Sequence, residues 1–195
     1  MRRLLLVAGA AVLVAVIVIG LTSAGSGGSG TEGDATKFDL PAAKEKLAAA
    51  PAPLNGLYAQ ANELLGGGTS AFTARLNELK GHPLVINKWA SWCGPCQAEF
   101  SVFQDVATER GKEVGFLGLD VNDADAHARN FLAKRPLPFP SYTDPNEKLT
   151  AALKAPQNVA PVTVFVARDG RIATVHAGPY KSTAQLKADI DRYLD

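Results

Sequence analysis

Two cysteines that stand three residues apart constrain this chain more than any other feature, because the sequence contains no others. They belong to the segment WASWCGPC, residues 89–96, where an apolar run meets a helical pattern. With one possible partner for each thiol, a framework of structural disulfides and a four-cysteine zinc site are both excluded. A pair at this spacing can open and close a disulfide without moving the rest of the fold. Cys93 and Cys96 are therefore the predicted chemical centre of the chain.

Composition and charge limit the kinds of partner. The chain has 195 residues, of which 47% are apolar and 20% charged, so one domain with a sizeable core and some additional segments is expected. The formal net charge is +1 and no block of like charges occurs, which argues against binding to nucleic acid or to an anionic surface. The histidines, His82, His127 and His176, lack ligand spacing, so neither a metal site nor a cofactor is predicted.

The N-terminal segment predicts the compartment in which the protein works. Arg2 and Arg3 precede an apolar run over residues 4–21, which spans about 27 Å as a helix, close to the roughly 30 Å of a bilayer core. We therefore predict a single-pass transmembrane anchor over residues 1–21, with its N-terminus in the cytoplasm and the catalytic domain outside. The alternative is a cleaved signal sequence, because Thr22-Ser23-Ala24 offers small residues to a signal peptidase.

Three further segments follow the predicted anchor. Residues 22–36 are rich in glycine and serine and predict a flexible linker. Residues 37–68 predict a helical extension, in which Leu64 and Leu65 continue a helical spacing of apolar residues. Residues 69–195 are assigned to the main domain.

Strand and helix patterns alternate within the main domain. The predicted strands are buried apolar runs over residues 84–90, 114–121, 162–167 and 172–176. The last two form a hairpin with a type I′ turn at Asp169-Gly170. The predicted helices begin at Ser70, the cysteine pair, Asp123, residue 146 and Ser182, and Ser182 forms a capping box with Gln185. These elements predict an α/β fold with one mixed sheet and helices on both faces.

The setting of the cysteine pair gives it a specific chemistry. Cys93 follows a strand and opens a helix, where free N–H groups and the positive end of the helix dipole stabilise a thiolate. Cys96 lies one turn further along the same face. We expect Cys93 to attack a partner disulfide and Cys96 to resolve the resulting mixed disulfide. The alternative, a pair of unreactive buried thiols, is disfavoured by this strand–turn–helix setting.

The segment NKWASWCGPCQAEF resembles the active site of thioredoxin-fold proteins, and most of all that of the membrane-anchored TlpA/ResA-type thiol-disulfide oxidoreductases. The resemblance runs from Leu79 to the C-terminus and includes LKGHPLVINKWASWCGPC, the segment APVTVF at 160–165 and the hairpin. It implies a thioredoxin-like fold and an enzyme that reduces disulfides of extracytoplasmic proteins, such as apocytochromes c in cytochrome c maturation. It also implies a membrane electron donor such as a CcdA/DsbD-like protein.

The resemblance assigns roles to residues around the pair. It implies that Pro161 is a cis-proline facing the dithiol, which lets the backbone of Ala160 pair with an incoming peptide strand. The alternative is an ordinary trans proline at the start of a strand. Glu99 continues the row of Cys93 and Cys96 and is expected to accept the proton of Cys96 as that thiol attacks. The alternative for Glu99 is a solvated helix residue.

Other residues near the pair are predicted to contact substrate or to support the strand. Trp92 is predicted to form an apolar docking rim, with plain packing as the alternative. Gly94 and Pro95 between the cysteines are assigned to the same substrate-binding surface. Asn87 stands where many thioredoxins have a proton-moving aspartate, a role that an amide cannot take. A local hydrogen bond is expected of it instead, and the alternative is an ordinary satisfied amide in the strand. Lys88 replaces a common aromatic residue and is predicted to snorkel to an edge of the sheet.

Alternative functions differ in chemistry or in class. The same dithiol can work as an oxidase in extracytoplasmic protein folding, because the direction of exchange follows the reduction potential and the electron donor. A peroxiredoxin is rejected, since that class needs a proline and a threonine or serine where this chain has Ile86 and Ala90. A non-catalytic, membrane-tethered binding module that uses the groove at Pro161 stays open.

Overall fold

The computed structural model describes residues 37–194. The predicted membrane anchor, residues 1–21, and the predicted linker, residues 22–36, lie outside these described residues. Within residues 37–194, no helix is both long and apolar enough to cross a bilayer. The described residues from Phe38 onward form one compact unit, so the predicted extension belongs to the same body as the main domain.

The described residues form seven helices and six strands. The helices are α1 (Leu40–Ala48), α2 (Leu54–Ala59), α3 (Gly68–Glu78), α4 (Gly94–Arg110), α5 (Asp125–Lys134), α6 (Lys148–Ala152) and α7 (Thr183–Leu194). The strands are β1 (Leu64–Leu65), β2 (Leu84–Trp89), β3 (Gly115–Val121), β4 (Ser141–Asp144), β5 (Val162–Val166) and β6 (Ile172–Ala177).

The strands form one mixed sheet in the order β1-β4-β3-β2-β5-β6. The neighbours β1, β4, β3 and β2 run parallel, whereas β5 is antiparallel to β2 and β6 is antiparallel to β5. Every residue of β2 and β3 is buried, which requires helices over both faces of the sheet. The predicted α/β class, with a mixed sheet between helices, is confirmed.

An apolar layer fixes α4 against the central strands. Phe100, Phe103 and Val106 on α4 are fully buried, as their helical spacing predicts. Phe100 meets Trp89 at the end of β2 edge to face, with ring centroids 5.2 Å apart. This packing holds the N-terminus of α4 at the end of β2, where the cysteine pair lies.

The predicted helix through Leu64 and Leu65 is wrong, because these two residues form β1. Leu64 pairs with Ser141 and Leu65 with Tyr142 of β4, a strand that the prolines before it had concealed. Two apolar residues fit a helical spacing and a short strand equally well, so the open edge of β4 decides the outcome. Upstream, Tyr58 on α2 donates a 2.6 Å hydrogen bond to the carbonyl of Val114, which ties the extension to the core.

Two predicted helix caps are also wrong. Ser70 lies inside α3, whose N-cap is Gly67 with a φ of 94°, a conformation that glycine adopts without steric cost. Asp123 does not cap α5, whose N-cap is Ala124 and carries no side-chain hydrogen bond. Asp123 instead accepts a 2.6 Å hydrogen bond from the N–H of Ser91, a loop amide without a partner in the sheet. The carboxylate therefore serves the loop before the cysteines.

The C-terminal hairpin and helix follow the prediction, except for the turn type. Gly170 has a φ of 86° and donates its N–H to the carbonyl of Ala167, while Asp169 keeps a negative φ. This is a three-residue loop with a type I turn and a left-handed glycine rather than a type I′ turn. Before α7, Ser182 accepts from the N–H of Gln185, and the Gln185 side chain accepts from the N–H of Lys181.

Candidate active site

The cysteine pair lies at the junction between β2 and α4. Cys93 is the N-cap of α4, with an extended backbone, and its sulfur accepts a 3.2 Å hydrogen bond from the N–H of Cys96. The two cysteines are joined by a disulfide. Gly94 and Pro95 between them are exposed, whereas the cysteines are buried, Cys93 at 4% exposure and Cys96 at 0%. The outer sulfur therefore belongs to Cys93, at the helix N-terminus that the sequence predicts.

The loop before the pair is held from several sides. Ser91 donates its N–H to Asp123 and accepts a 2.7 Å hydrogen bond from the side chain of Gln97. Trp92 is 61% exposed, and its indole N–H donates to the carbonyl of Asn122 at 3.0 Å. The ring of Trp92 is thus fixed at one edge and open to a partner on its face, in keeping with the predicted docking rim.

Glu99 lies one helical turn beyond Cys96 and is fully buried, so the alternative of a solvated residue is wrong. One carboxylate oxygen accepts from the side-chain amide of Asn87 at 2.8 Å, and the other accepts from the N–H of Tyr180 at 2.9 Å. Burial raises the pKa of Glu99 to about 7, and the two hydrogen bonds oppose that rise. A carboxyl with such a pKa exchanges protons near neutral pH. The local hydrogen bond expected for Asn87 is confirmed.

The peptide bond between Ala160 and Pro161 is cis, which confirms the prediction from the resemblance. Val162 pairs with Lys88, so Pro161 lies across from the end of β2, beside the loop that carries the cysteines. A groove at this end of the sheet joins Ala160 to Trp92, and its other lining residues are Val121, Asn122, Glu147, Asn158 and Val159. Two of the residues predicted to bind substrate therefore face one shared surface.

A family model described as Redoxin matches residues 56–194 of the chain. This chain belongs to the Redoxin family. Thiol-disulfide oxidoreductase ResA of Bacillus thuringiensis (strain Al Hakam) is 26% identical over 120 residues, which cover 61% of the chain and 65% of that protein. The thiol:disulfide interchange protein DsbE homolog of Paracoccus denitrificans (strain Pd 1222) is 33% identical over 96 residues, which cover 49% of the chain and 50% of that protein.

The fold agrees with the family. The solved structure of MTB DsbF in its mixed oxidized and reduced forms matches with a TM-score of 0.53 and 29% identity, over 59% of this chain and 83% of that one. The predicted likeness to ResA-type proteins and the thioredoxin-like fold are confirmed. The chain spans less than two thirds of the length of the two curated relatives named above.

Lys88 in this Redoxin-family chain departs from its prediction, because it does not reach an edge of the sheet. It is 1% exposed in the central strand β2, where no path to solvent is open to its side chain. Its ammonium group instead pairs with Glu147 at 2.9 Å and donates to the carbonyl of Pro156 at 2.8 Å. A buried cation requires an anionic partner, so a lysine in a strand predicted to be buried was the signal from which an acidic partner could have been inferred.

Asp120 is a second buried carboxyl that sequence reasoning missed. It lies at the end of β3, in register with Trp89, and is 2% exposed. Burial, reinforced by the nearby charges of Asp123 and Asp125, raises the pKa of Asp120 to about 8. The Redoxin domain therefore carries two carboxyls that titrate near neutral pH, one in α4 and one in β3. Among residues 37–194, no cluster of histidine, cysteine and acidic side chains could hold a metal ion.

Proposed function

We propose that this protein is a thiol-disulfide oxidoreductase that reduces disulfides of partner proteins through Cys93 and Cys96. The observation that carries the proposal is the position of the pair. Cys93 caps α4 at the end of β2, where the cis peptide before Pro161 and the groove at Trp92 meet. Membership of the Redoxin family and similarity to proteins named as thiol-disulfide oxidoreductases support the same chemistry.

The reaction proceeds in two exchanges. The Cys93 thiolate, favoured by the helix N-terminus, attacks one sulfur of the partner disulfide and releases the other as a thiolate. Cys96 then loses its proton and attacks the sulfur of Cys93, which releases the second partner thiolate and closes the Cys93–Cys96 disulfide. Two electrons pass to the partner, and its two thiolates take up protons equivalent to those that the enzyme dithiol has lost.

Glu99 is the proposed acceptor of the Cys96 proton. It follows Cys96 by one helical turn and is shielded from water. Its pKa is about 7 because burial disfavours the charged form. Such a carboxyl is ionised often enough to accept a proton and basic enough to hold it. Asn87, which donates to the carboxylate, orients Glu99 but takes no proton itself.

Ala160 is the proposed site of backbone pairing with the partner. Ala160, which precedes the cis peptide bond, lines the groove, where an extended segment can add to its backbone as a strand. Trp92 offers an apolar face to the same segment, and the exposed Gly94 and Pro95 leave room for it beside Cys93.

The cellular setting is also part of the proposal. Arg2, Arg3 and the apolar run over residues 4–21 support a single-pass anchor that holds the domain outside the cytoplasm. The resemblance of the active-site segment to TlpA/ResA-type proteins supports extracytoplasmic substrates, with apocytochromes c as the first candidates, and a CcdA/DsbD-like donor in the membrane. A reduction potential of about −270 mV fits this direction, whereas one of about −120 mV fits the alternative, an oxidase.

A cysteine trap tests the proposal. Cys96→Ser removes the resolving thiol, so Cys93 is expected to hold its partners as mixed disulfides that reducing agent releases. Cys93→Ser is the matched control, since it keeps one thiol but removes the attacking one, and it is expected to trap nothing. Equal yields from the two variants, or no mixed disulfide from Cys96→Ser in cells that use the protein, would contradict the proposed chemistry.

A further inference from the structure

The buried side chain of Glu147, in the loop between β4 and α6, is the centre of a hydrogen-bond network that reaches the surface at two asparagines. Its carboxylate accepts from the ammonium group of Lys88 at 2.9 Å, from the side-chain amide of Asn122 at 2.6 Å and from the N–H of Asn158 at 3.0 Å. Glu147 itself is 4% exposed. Donors from three separate segments therefore meet on one carboxylate, and we define Glu147, Lys88, Asn122 and Asn158 as the Glu147 network.

The backbone of this network has an uncommon conformation. Asn122, Glu147 and Asn158 have φ values of 49°, 52° and 55°, in the left-handed region. The described residues include five non-glycine residues with positive φ, and three of them belong to this network. Side chains other than glycine remain in that region where the surrounding structure holds them, and such positions cluster at ligand-binding sites. The Glu147 carboxylate restrains both asparagines in this conformation. It accepts hydrogen bonds from the side-chain amide of Asn122 and from the backbone N–H of Asn158.

The Glu147 network reaches both walls of the groove beside Cys93. On one wall, the carbonyl of Asn122 accepts the indole N–H of Trp92. On the other, Lys88 donates to the carbonyl of Pro156, and Asn158 precedes Ala160 by two residues. Both walls are thus linked to Glu147 by a chain of hydrogen bonds, and Glu147 itself lines the groove.

We propose that Glu147 is a positioning residue, whose carboxylate holds the Trp92 wall and the Ala160 wall of the groove at the spacing that an extended segment of the partner requires. This inference rests on the proposed function, because it concerns how a disulfide-bearing segment binds beside Cys93. Lys88 balances the charge of Glu147, which lets the carboxylate remain buried while its oxygens accept from the two asparagines. Glu147 takes no part in the thiol exchange.

Two double variants separate positioning from plain stability. Lys88→Met with Glu147→Met replaces the ion pair by apolar side chains and removes every side-chain acceptor at position 147. Lys88→Met with Glu147→Gln removes the same charges but keeps a carbonyl acceptor for the N–H of Asn158. The exposed ion pair between Lys187 and Glu109 provides the control, since Lys187→Met removes a charge far from the groove.

The assay compares two disulfides with each reduced, full-length protein. Insulin offers a disulfide within a polypeptide, and dithiobis(nitrobenzoate) offers one without flanking segments. We expect the methionine–methionine variant to lose at least tenfold in the ratio of kcat/KM for insulin to that for the small disulfide, mainly through KM. The methionine–glutamine variant should keep that ratio within about threefold of wild type, with an unchanged reduction potential, and Lys187→Met should not change it.

The outcomes distinguish this inference from the proposed function. A wild-type protein that reduces neither disulfide contradicts the proposed function. If the wild type reduces both, equal ratios for the two double variants overturn the inference. A wild type that reduces only the small disulfide also overturns it. Asn122→Gly, which tolerates a positive φ and removes a single donor, provides the test if the double variants do not fold. It should lower the ratio at least threefold, and an unchanged ratio overturns the inference.

Discussion

Two buried glutamates near the cysteine pair differ in what surrounds them. Within the part of the chain that the structure describes, Glu99 on α4 accepts hydrogen bonds only from neutral donors, the amide of Asn87 and the N–H of Tyr180. Burial raises the pKa of Glu99 to about 7. Glu147 is buried to a similar degree but has the ammonium group of Lys88 at 2.9 Å. A buried carboxylate without a cation is suited to take up a proton, whereas one with a cation is suited to hold structure.

The largest expected effect comes from breaking the ion pair on one side only. Lys88→Met leaves the Glu147 carboxylate buried without a cation, which should lower the free energy of unfolding by about 3–5 kcal/mol in urea titrations at pH 7. The methionine–methionine double variant is the control and should recover most of that loss, because no lone charge remains buried. If the single variant is as stable as wild type, the ammonium group of Lys88 is not needed to offset the buried charge of Glu147.

The second effect concerns Glu99 and the pH dependence of stability. The pKa of Glu99 is about 7 in the folded chain, above its ordinary value of 4.5, so its stabilising contribution is complete below pH 4.5 and is lost as pH rises through 7. The loss is on the order of 3 kcal/mol. Asp120, whose pKa rises to about 8, adds a loss of the same sign.

Glu99→Gln isolates the contribution of Glu99 from that of Asp120. The amide cannot ionise, so the variant should lose less stability than wild type between pH 4.5 and pH 7.5 in urea titrations. The slope of unfolding free energy against pH is compared between the two proteins. The difference between the two slopes, rather than either slope alone, measures the contribution of Glu99. Parallel curves for the two proteins would mean that Glu99 titrates at its ordinary pKa despite its burial.

The third effect is on the rate of resolution. If Glu99 accepts the proton of Cys96, Glu99→Gln should slow the release of the partner from the mixed disulfide by about a hundredfold at pH 8. Stopped-flow measurement of the released thiol tests this, with the attack by Cys93 followed separately. In the wild type, this rate should rise with pH through about 7, and that rise should be absent from the variant. A variant that resolves as fast as wild type excludes Glu99 as the proton acceptor.

The smallest expected effect is at the rim of the groove. Trp92→Ala removes an exposed ring with one indole hydrogen bond, so stability should change by no more than about 1 kcal/mol. The value of kcat/KM for a protein disulfide should fall roughly threefold to tenfold if the ring contacts the partner as proposed. Tyr193→Ala removes another exposed aromatic side chain, on α7, and should leave kcat/KM unchanged. Equal effects of the two variants would argue against a docking role for Trp92.

Local sequence patterns predicted the parts of the site that lie close together in the chain. The strand before Cys93, the helix after it and the inward face of α4 follow from apolar spacing and capping alone. The cis state of the Ala160–Pro161 peptide was predicted only through the resemblance to a family, since no local pattern distinguishes it. Local patterns could not predict the short strands, because β1 has two residues and its partner β4 begins directly after Pro140.

The sequence by itself determined the chemical centre of this protein and the order of the elements around it. A dithiol at a strand-to-helix junction and the alternation of apolar runs are local properties. They can therefore be recognised in the sequence without knowledge of the tertiary structure. Only the tertiary structure decided which charges lie buried and what faces them. Lys88 and Glu147 are 59 residues apart in the chain and meet at 2.9 Å, because the folded chain brings the loop after β4 to β2 although β3 lies between the two strands in the sheet.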